Sequence, residues 1–536
     1  MKKLLLLFVL PAAFVSYVDA QITDPIQQKY AAYITAADAK KHLSILASDA
    51  FEGRETGKPG AEKAANYIAG EFKKLGLQAP VNGSYFLNIP LTETTLQADN
   101  FKVNSSEFVF GKDFYIGSMG SGNTAIVTND IIFIGYGISG GHYDDLENVD
   151  ITSKIVMFIN KGEPMKNGVS AVTQTSTASD WSTSRNKRLQ YLLSKKPLLI
   201  LAVNPDLEDL MQRMTEMHYD INAGRISIKS DVKQDERPAV LTISPKIADA
   251  LLKNSGKTLE ALKTAIDENG KPQSQTVKTD FSVILNQQNT DVKAVDVLGY
   301  LPGTDLKDEV LVFSAHYDHI GLTTSGTDKV NNGADDDGSG TTGILEIANA
   351  FTEAKKAGHG PRRSILFLGN VGEEKGLLGS EYYTDHPVFP LEKTITDLNI
   401  DMIGRVGEEY KNKADSANYI YVIGSSKLST TLHEISEKAN QTYTKLNLDY
   451  KYDDPKDPNR FYYRSDHYNF AKHGVPIIFY FNGVHEDYHR PGDEVSKINF
   501  PALAKRAQLV FFTGWELANR DKRPAVDAKN DMPESR

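Results

Sequence analysis

Apolar positions recur along this chain in two rhythms. In residues 59–76 they keep helical spacing: Ala64, Ile68, Phe72 and Leu75 share one face, and Gly76 stands where a left-handed residue ends a helix. Residues 36–46 read as a shorter helix before it. From 119 to 282 the rhythm shortens. Runs at 126–127, 131–134, 154–159 and 198–203 are apolar or β-branched and are separated by Gly, Asn and Asp clusters, which predicts strands. Residues 244–266 predict a helix broken at Gly256. From 293 onward, buried strands at 310–313, 364–368, 398–400 and 475–481 alternate with helices at 341–357 and 428–440. Continuous apolar strands alternating with helices imply an α/β fold. Its mostly parallel or mixed sheet is covered by helices on both faces and interrupted by a β-rich insert.

The same pattern divides the chain into five parts. They are a leader at 1–20, the first part of the main domain at 21–118, an insert at 119–282, the remainder of the main domain at 283–520, and a polar tail at 521–536 expected to be disordered. In the leader, Lys2 and Lys3 precede an apolar run to Val18, and Val18-Asp19-Ala20 has the small residues of a cleavage site. The run is short for a membrane span and is interrupted by Pro11. The expectation is export to a periplasm or the medium, with no stable membrane insertion after cleavage. A net charge of −10 argues against a nucleic-acid partner. The chain contains no cysteine. Disulfides, thiolate ligands and a cysteine nucleophile are excluded, and any zinc must be held by His, Asp and Glu.

Five segments place acids and histidines at or just past the ends of predicted strands, where open α/β sheets build ligand sites. In Ser314-Ala315-His316-Tyr317-Asp318-His319, His316 offers a metal-binding nitrogen, and Asp318 is placed to accept from its other ring nitrogen. Gly333-Ala334-Asp335-Asp336-Asp337-Gly338 opens a helix. Three adjacent carboxylates repel one another unless cations neutralise them, and helix capping accounts for only one. Glu373 and Glu374 follow a buried strand and suit a division between proton transfer and metal ligation. Asp401 is an acid inside an apolar run, costly to bury without a cation or several donors. His489 lies in Tyr488-His489-Arg490-Pro491-Gly492-Asp493-Glu494, where one histidine of twelve carries little signal alone.

Taken in order, His-Tyr-Asp-His, Gly-Ala-Asp-Asp-Asp-Gly-Ser-Gly, Gly-Glu-Glu-Lys-Gly, Asn-Ile-Asp-Met-Ile-Gly and Tyr-His-Arg-Pro-Gly-Asp-Glu resemble the co-catalytic zinc exopeptidases. This family includes bacterial zinc aminopeptidases and glutamate carboxypeptidase-like enzymes. The resemblance implies two Zn²⁺ ions per chain and a peptide substrate. His316 and Asp401 would hold one ion, Glu374 and His489 the other, and Asp336 would bridge them, with a cis peptide bond to Asp337. Glu373 would be the general base, Asp318 would orient His316, and Tyr488 would steady the oxyanion. Residues 46–77 also resemble the family's N-terminal portion, and the insert resembles a protease-associated domain. Aminopeptidase action is the favoured expectation. Carboxypeptidase or amidase action on the same site is the alternative, with Arg464 and Arg490 as groups to meet a carboxylate. A non-catalytic scaffold or a single-metal cyclase is disfavoured because all five ligands and the base are present.

Overall fold

The computed structural model describes residues 23–120, 122–184, 186–216, 223–230 and 237–533. The expected leader lies outside them. Among the described residues, no helix is long and apolar enough to cross a membrane.

The chain forms two compact units. Of the described residues, one comprises those within 23–87, 295–322 and 330–533; the other comprises those within 88–294 and 323–329. The texture change read at 119 and 282 thus stands inside the second unit, because the long strands Phe86–Val103 and Gln275–Leu301 straddle its edges with an alternating, half-exposed pattern.

The first unit is built on a mixed sheet. Its order is Asn447–Asp449, Tyr419–Ile423, Ile477–Phe481, Thr394–Ile400, Leu306–His316, Arg363–Asn370 and the end of Gln275–Leu301. The four strands from Ile477–Phe481 to Arg363–Asn370 are parallel, and each is buried along its length apart from the first residues of Leu306–His316. That is why they read as continuous apolar runs rather than alternating ones. Helices Ala36–Leu46, Pro59–Leu75, Gly338–Lys356 and Phe500–Asn519 pack together, and a second group, Leu378–Asp385 and His467–Lys472, packs separately. Helix Pro59–Leu75 ends at Gly76 with φ +83°, as the sequence pattern required.

Leu306–His316 is flanked by Arg363–Asn370 on one side and Thr394–Ile400 on the other, the strands that follow it in sequence. The connections leave it in opposite directions, which opens a crevice at the carboxyl ends of the strands. His316 pairs in register with Asn370 at that edge, and Ile400 pairs with Tyr480.

The second unit is not solely β. Strands Ile155–Ile159, Leu199–Val203 and Ala239–Ile243 run parallel and are fully buried. Helices Pro245–Leu252 and Leu259–Asn269 contribute Ile247, Leu251, Leu262 and Ile266 to the same core, and Gly256 breaks between them with φ +73°.

The tail corrects its expectation of disorder. Through residue 533 it is docked on the first unit. Met532 is buried, Tyr463 donates to the Pro533 carbonyl at 2.6 Å, and Lys427 pairs with Asp531 at 2.8 Å. A polar sequence reads as disordered when its few anchors meet partners that are distant in sequence.

Candidate metal centre

The crevice gathers all five segments. His316 ends its strand and is buried. Its Nδ1 lies 3.0 Å from the main-chain carbonyl of Asp318, while the Asp318 carboxylate stands 3.8 Å away. The carbonyl, not the expected carboxylate, therefore fixes the ring and leaves Nε2 free to ligate. The Asp318 carboxylate is used elsewhere. It accepts from the Thr56 hydroxyl at 2.6 Å and from the Glu373 backbone N–H at 3.3 Å.

Of the three adjacent aspartates, only Asp336 faces the cluster. Asp337 caps helix Gly338–Lys356 by accepting from Gly340 and also accepts from the Met402 N–H at 3.0 Å. Asp335 accepts from the Gly404 N–H at 2.6 Å and from Asn482 at 3.0 Å. Ser339 takes the Ile403 N–H between them. Thus the backbone just past Asp401 is gripped at three consecutive amides, which holds Met402 at φ +61°. Amide donors thus take both oxygens of Asp335 and Oδ1 of Asp337, while Asp337 Oδ2 is buried without a hydrogen bond. The Asp336–Asp337 peptide bond is cis. Asp493 accepts from the N–H groups of both Asp335 and Asp336. Gly340 is required here because a Cβ would stand 2.2 Å from the Ile400 carbonyl.

Around Asp336 the donor atoms converge in two sets. His316 Nε2 lies 3.3 Å from Asp336 Oδ1 and 3.7 Å from Asp401 Oδ1. His489 Nε2 lies 3.1 Å from both Asp336 Oδ2 and Glu374 Oε2. Ligand atoms of a tetrahedral zinc with bonds of about 2.0–2.1 Å stand roughly 3.3 Å apart, so these separations fit the edges of such a shell. His316 Nε2, Asp336 Oδ2 and Glu374 Oε1 are buried without a hydrogen bond, and native interiors leave few polar atoms in that condition. Two groups of three could each hold an ion: His316, Asp336 and Asp401, and His319, Asp336 and Glu374. The chemistry of the set, imidazole and carboxylate only, suits zinc.

The charges point the same way. Burial pulls the His489 imidazole down, but the Glu374 charge and hydrogen bonds with Asp336 and Glu374 overcome it and raise its pKa to about 11. Burial likewise opposes protonation of His316, and Glu373 and Asp401 outweigh it. The carboxylates thus call for positive charge in their midst. Burial pushes the Glu373 carboxyl well above its usual range; His316 opposes this, and Glu374 and Asp401 add to it.

At the cluster lies a small cavity, lined by Asp336, Glu373, Asp401, Arg464 and Tyr488 and walled by Met402, Phe461, Phe479, Phe481 and Val484. Arg464 Nη2 donates to the Tyr488 hydroxyl at 3.1 Å. Arg490, the other candidate for a carboxylate, is exposed and does not line this cavity.

Residues 46–57 brace the site. Arg54 is buried and donates to the carbonyls of Leu46, Tyr317, Asn332 and Gly333 at 2.6–2.9 Å, and to that of Asp336 at 3.5 Å. Sequence reasoning gave Arg54, His319 and Asp493 no role. His319 and Asp493 stand in quoted motifs and Arg54 within residues 46–77, but most of their partners lie far along the chain.

Comparisons with known proteins agree with this geometry. Residues 296–513 match peptidase family M28. Aminopeptidase YwaD of Bacillus subtilis is 26% identical over 253 residues, covering 45% of this chain and 48% of that protein. Leucine aminopeptidase 2 of Trichophyton rubrum is 27% identical over 255 residues, covering 42% of this chain and 46% of that protein. The match thus spans about half the length of these relatives. Among solved structures, the aminopeptidase from Aneurinibacillus sp. strain AM-1 is 17% identical with a TM-score of 0.50. That alignment covers 95% of this chain and all of the other, and it shows a shared fold. The stretch that matches the peptidase family M28 model, residues 296–513, is the one that carries every converging donor.

Proposed function

We propose that this chain is an exported zinc-dependent aminopeptidase, with one ion held by His316 and Asp401, a second by Glu374 and His489, and Asp336 between them. The observation that carries this reading is that His316 Nε2, Asp336 Oδ2 and Glu374 Oε1 are buried without a hydrogen bond, with Asp401 and His489 placed beside them. When bound, the two ions supply a water of lowered pKa and polarise the scissile carbonyl. Glu373 takes the proton of the attacking water and delivers it to the leaving amine. Its raised proton affinity and its place in the cavity wall suit both steps. Tyr488 receives a hydrogen bond from Arg464, so its own O–H proton points elsewhere and is available to the developing oxyanion. The apolar wall of Met402, Phe461, Phe479, Phe481 and Val484 suits an apolar N-terminal side chain. The names of the relatives support the aminopeptidase reading.

One observation favours a second reading. Arg464 reaches the same cavity, where its guanidinium would pair with a substrate's C-terminal carboxylate. Matched N-blocked and C-blocked dipeptides separate the two. Cleavage of the C-blocked peptide, abolished by chelation, is expected. Cleavage of the N-blocked peptide alone would sink the aminopeptidase reading. Two zinc ions with no cleavage of any peptide or amide would leave the scaffold reading. The export half is tested by N-terminal sequencing of secreted protein, which should begin at Gln21.

A further inference from the structure

His319 is left over by the five-ligand assignment, yet it sits in the cluster. Its ring is fully buried, and neither of its nitrogens makes a hydrogen bond. Nδ1 lies 2.8 Å from Glu374 Oε1 and 3.8 Å from Asp336 Oδ2, two oxygens that also lack a hydrogen bond. A nitrogen and an oxygen this close, yet not aligned for a hydrogen bond, have lone pairs converging on a third point rather than on each other. The ring is seated against Gly333, where a Cβ would stand 2.6 Å from it. It meets the His489 ring edge-on, with centroids 5.7 Å apart. Glu374 Oε2 and Asp336 Oδ2 are 3.1 Å from His489 Nε2, so two imidazoles address the same pair of carboxylates.

We propose that His319 is a sixth protein ligand, binding the ion held by Glu374 and His489. This inference rests on the two-ion reading above and deepens it. With His319 the second position has four protein ligands, namely His319, Asp336, Glu374 and His489. The first has three, His316, Asp336 and Asp401. Four protein groups would hold an ion more tightly than three, and three leave more room for water or substrate. The two positions therefore differ in affinity. The one near Glu374 is the tighter, and the one near His316 and Asp401 carries the open coordination.

X-ray absorption at the zinc edge of the full-length, zinc-loaded protein counts the imidazoles directly. Three per two zinc ions are expected; two per two zinc ions would overturn the inference while leaving the two-ion reading intact. A protein that takes up no zinc would overturn both. Zinc titration of the chelator-treated protein gives an independent readout. His319→Ala and His319→Gln should each weaken the tighter ion at least 100-fold, leaving the other within a few-fold. If His319 only steadies Glu374 through a hydrogen bond, His319→Gln keeps a donor and binds as the parent does, which overturns the ligand role. Thermal melting of the metal-free variants confirms that they fold.

Discussion

At the scale of single residues, three adjacent aspartates share one sequence signal and divide into different roles. Asp336 lies between the two donor sets. Asp335 and Asp337 hold amides 69 and 65 residues away. The motif pointed to an acid-rich loop, but not to the direction each side chain takes, because that is set by the strand end the loop meets. Glu373 and Glu374 divide likewise. Glu374 is drawn into the donor set by His489 and His319, while Glu373 stays at the cavity wall, 3.9 Å from His316 Nε2. Glu373→Gln preserves shape and removes the proton acceptor. It is expected to lower kcat by about 10²–10⁴-fold, the range for general acid–base catalysis, with KM nearly unchanged. Metal analysis of the same preparation should still find the zinc. Near-normal turnover would remove Glu373 as the base.

At the scale of elements, the parallel strands fix where the chemistry can sit. Their ends carry His316, the loop with Glu373 and Glu374, and Asp401, and each strand was readable from its apolar run. The brace was not. Arg54 looks like an exposed charge in a polar, glycine-bearing loop. In the fold its planar fork joins the loop at 332–336 to the end of strand Leu306–His316. Arg54→Lys keeps the charge but cannot span this set, since an ammonium is a point donor. Several buried carbonyls lose their partner at about 1–3 kcal/mol each. The expected result is a loss of at least about 3 kcal/mol in denaturant unfolding, together with weaker zinc retention during dialysis. An unfolding midpoint within error of the parent's would show that water replaces the guanidinium without loss.

At the scale of the whole molecule, buried charge makes stability depend on pH. Glu346, on helix Gly338–Lys356, is buried and accepts from the Thr35 N–H at 3.1 Å. Burial raises its pKa from 4.5 to about 7. The folded state therefore binds a proton that the unfolded chain has already lost. This group destabilises progressively as pH rises from about 4.5 to about 7, by no more than about 3 kcal/mol. His42, 3.7 Å away and held below its usual value by burial, gives a slope of the opposite sign. Comparison with Glu346→Gln isolates the carboxyl. The variant should gain stability over the parent at pH 8 and lose that advantage at pH 4. An equal advantage at both pH values would show that packing, not ionisation, is responsible.

The sequence by itself determined the layered α/β plan, the buried cores of four principal strands, and the five acid- and histidine-bearing segments. All of these follow from local periodicity and from chemistry written in adjacent residues. Tertiary structure alone decided which member of each acidic run faces the cluster, that His319 enters it, that Arg54 braces it, and that the polar tail is docked. Each of those outcomes depends on a partner dozens or hundreds of residues away. A side chain's role is fixed by which lone pair or N–H the folded chain brings within about 3 Å, and local pattern carries no record of that distance.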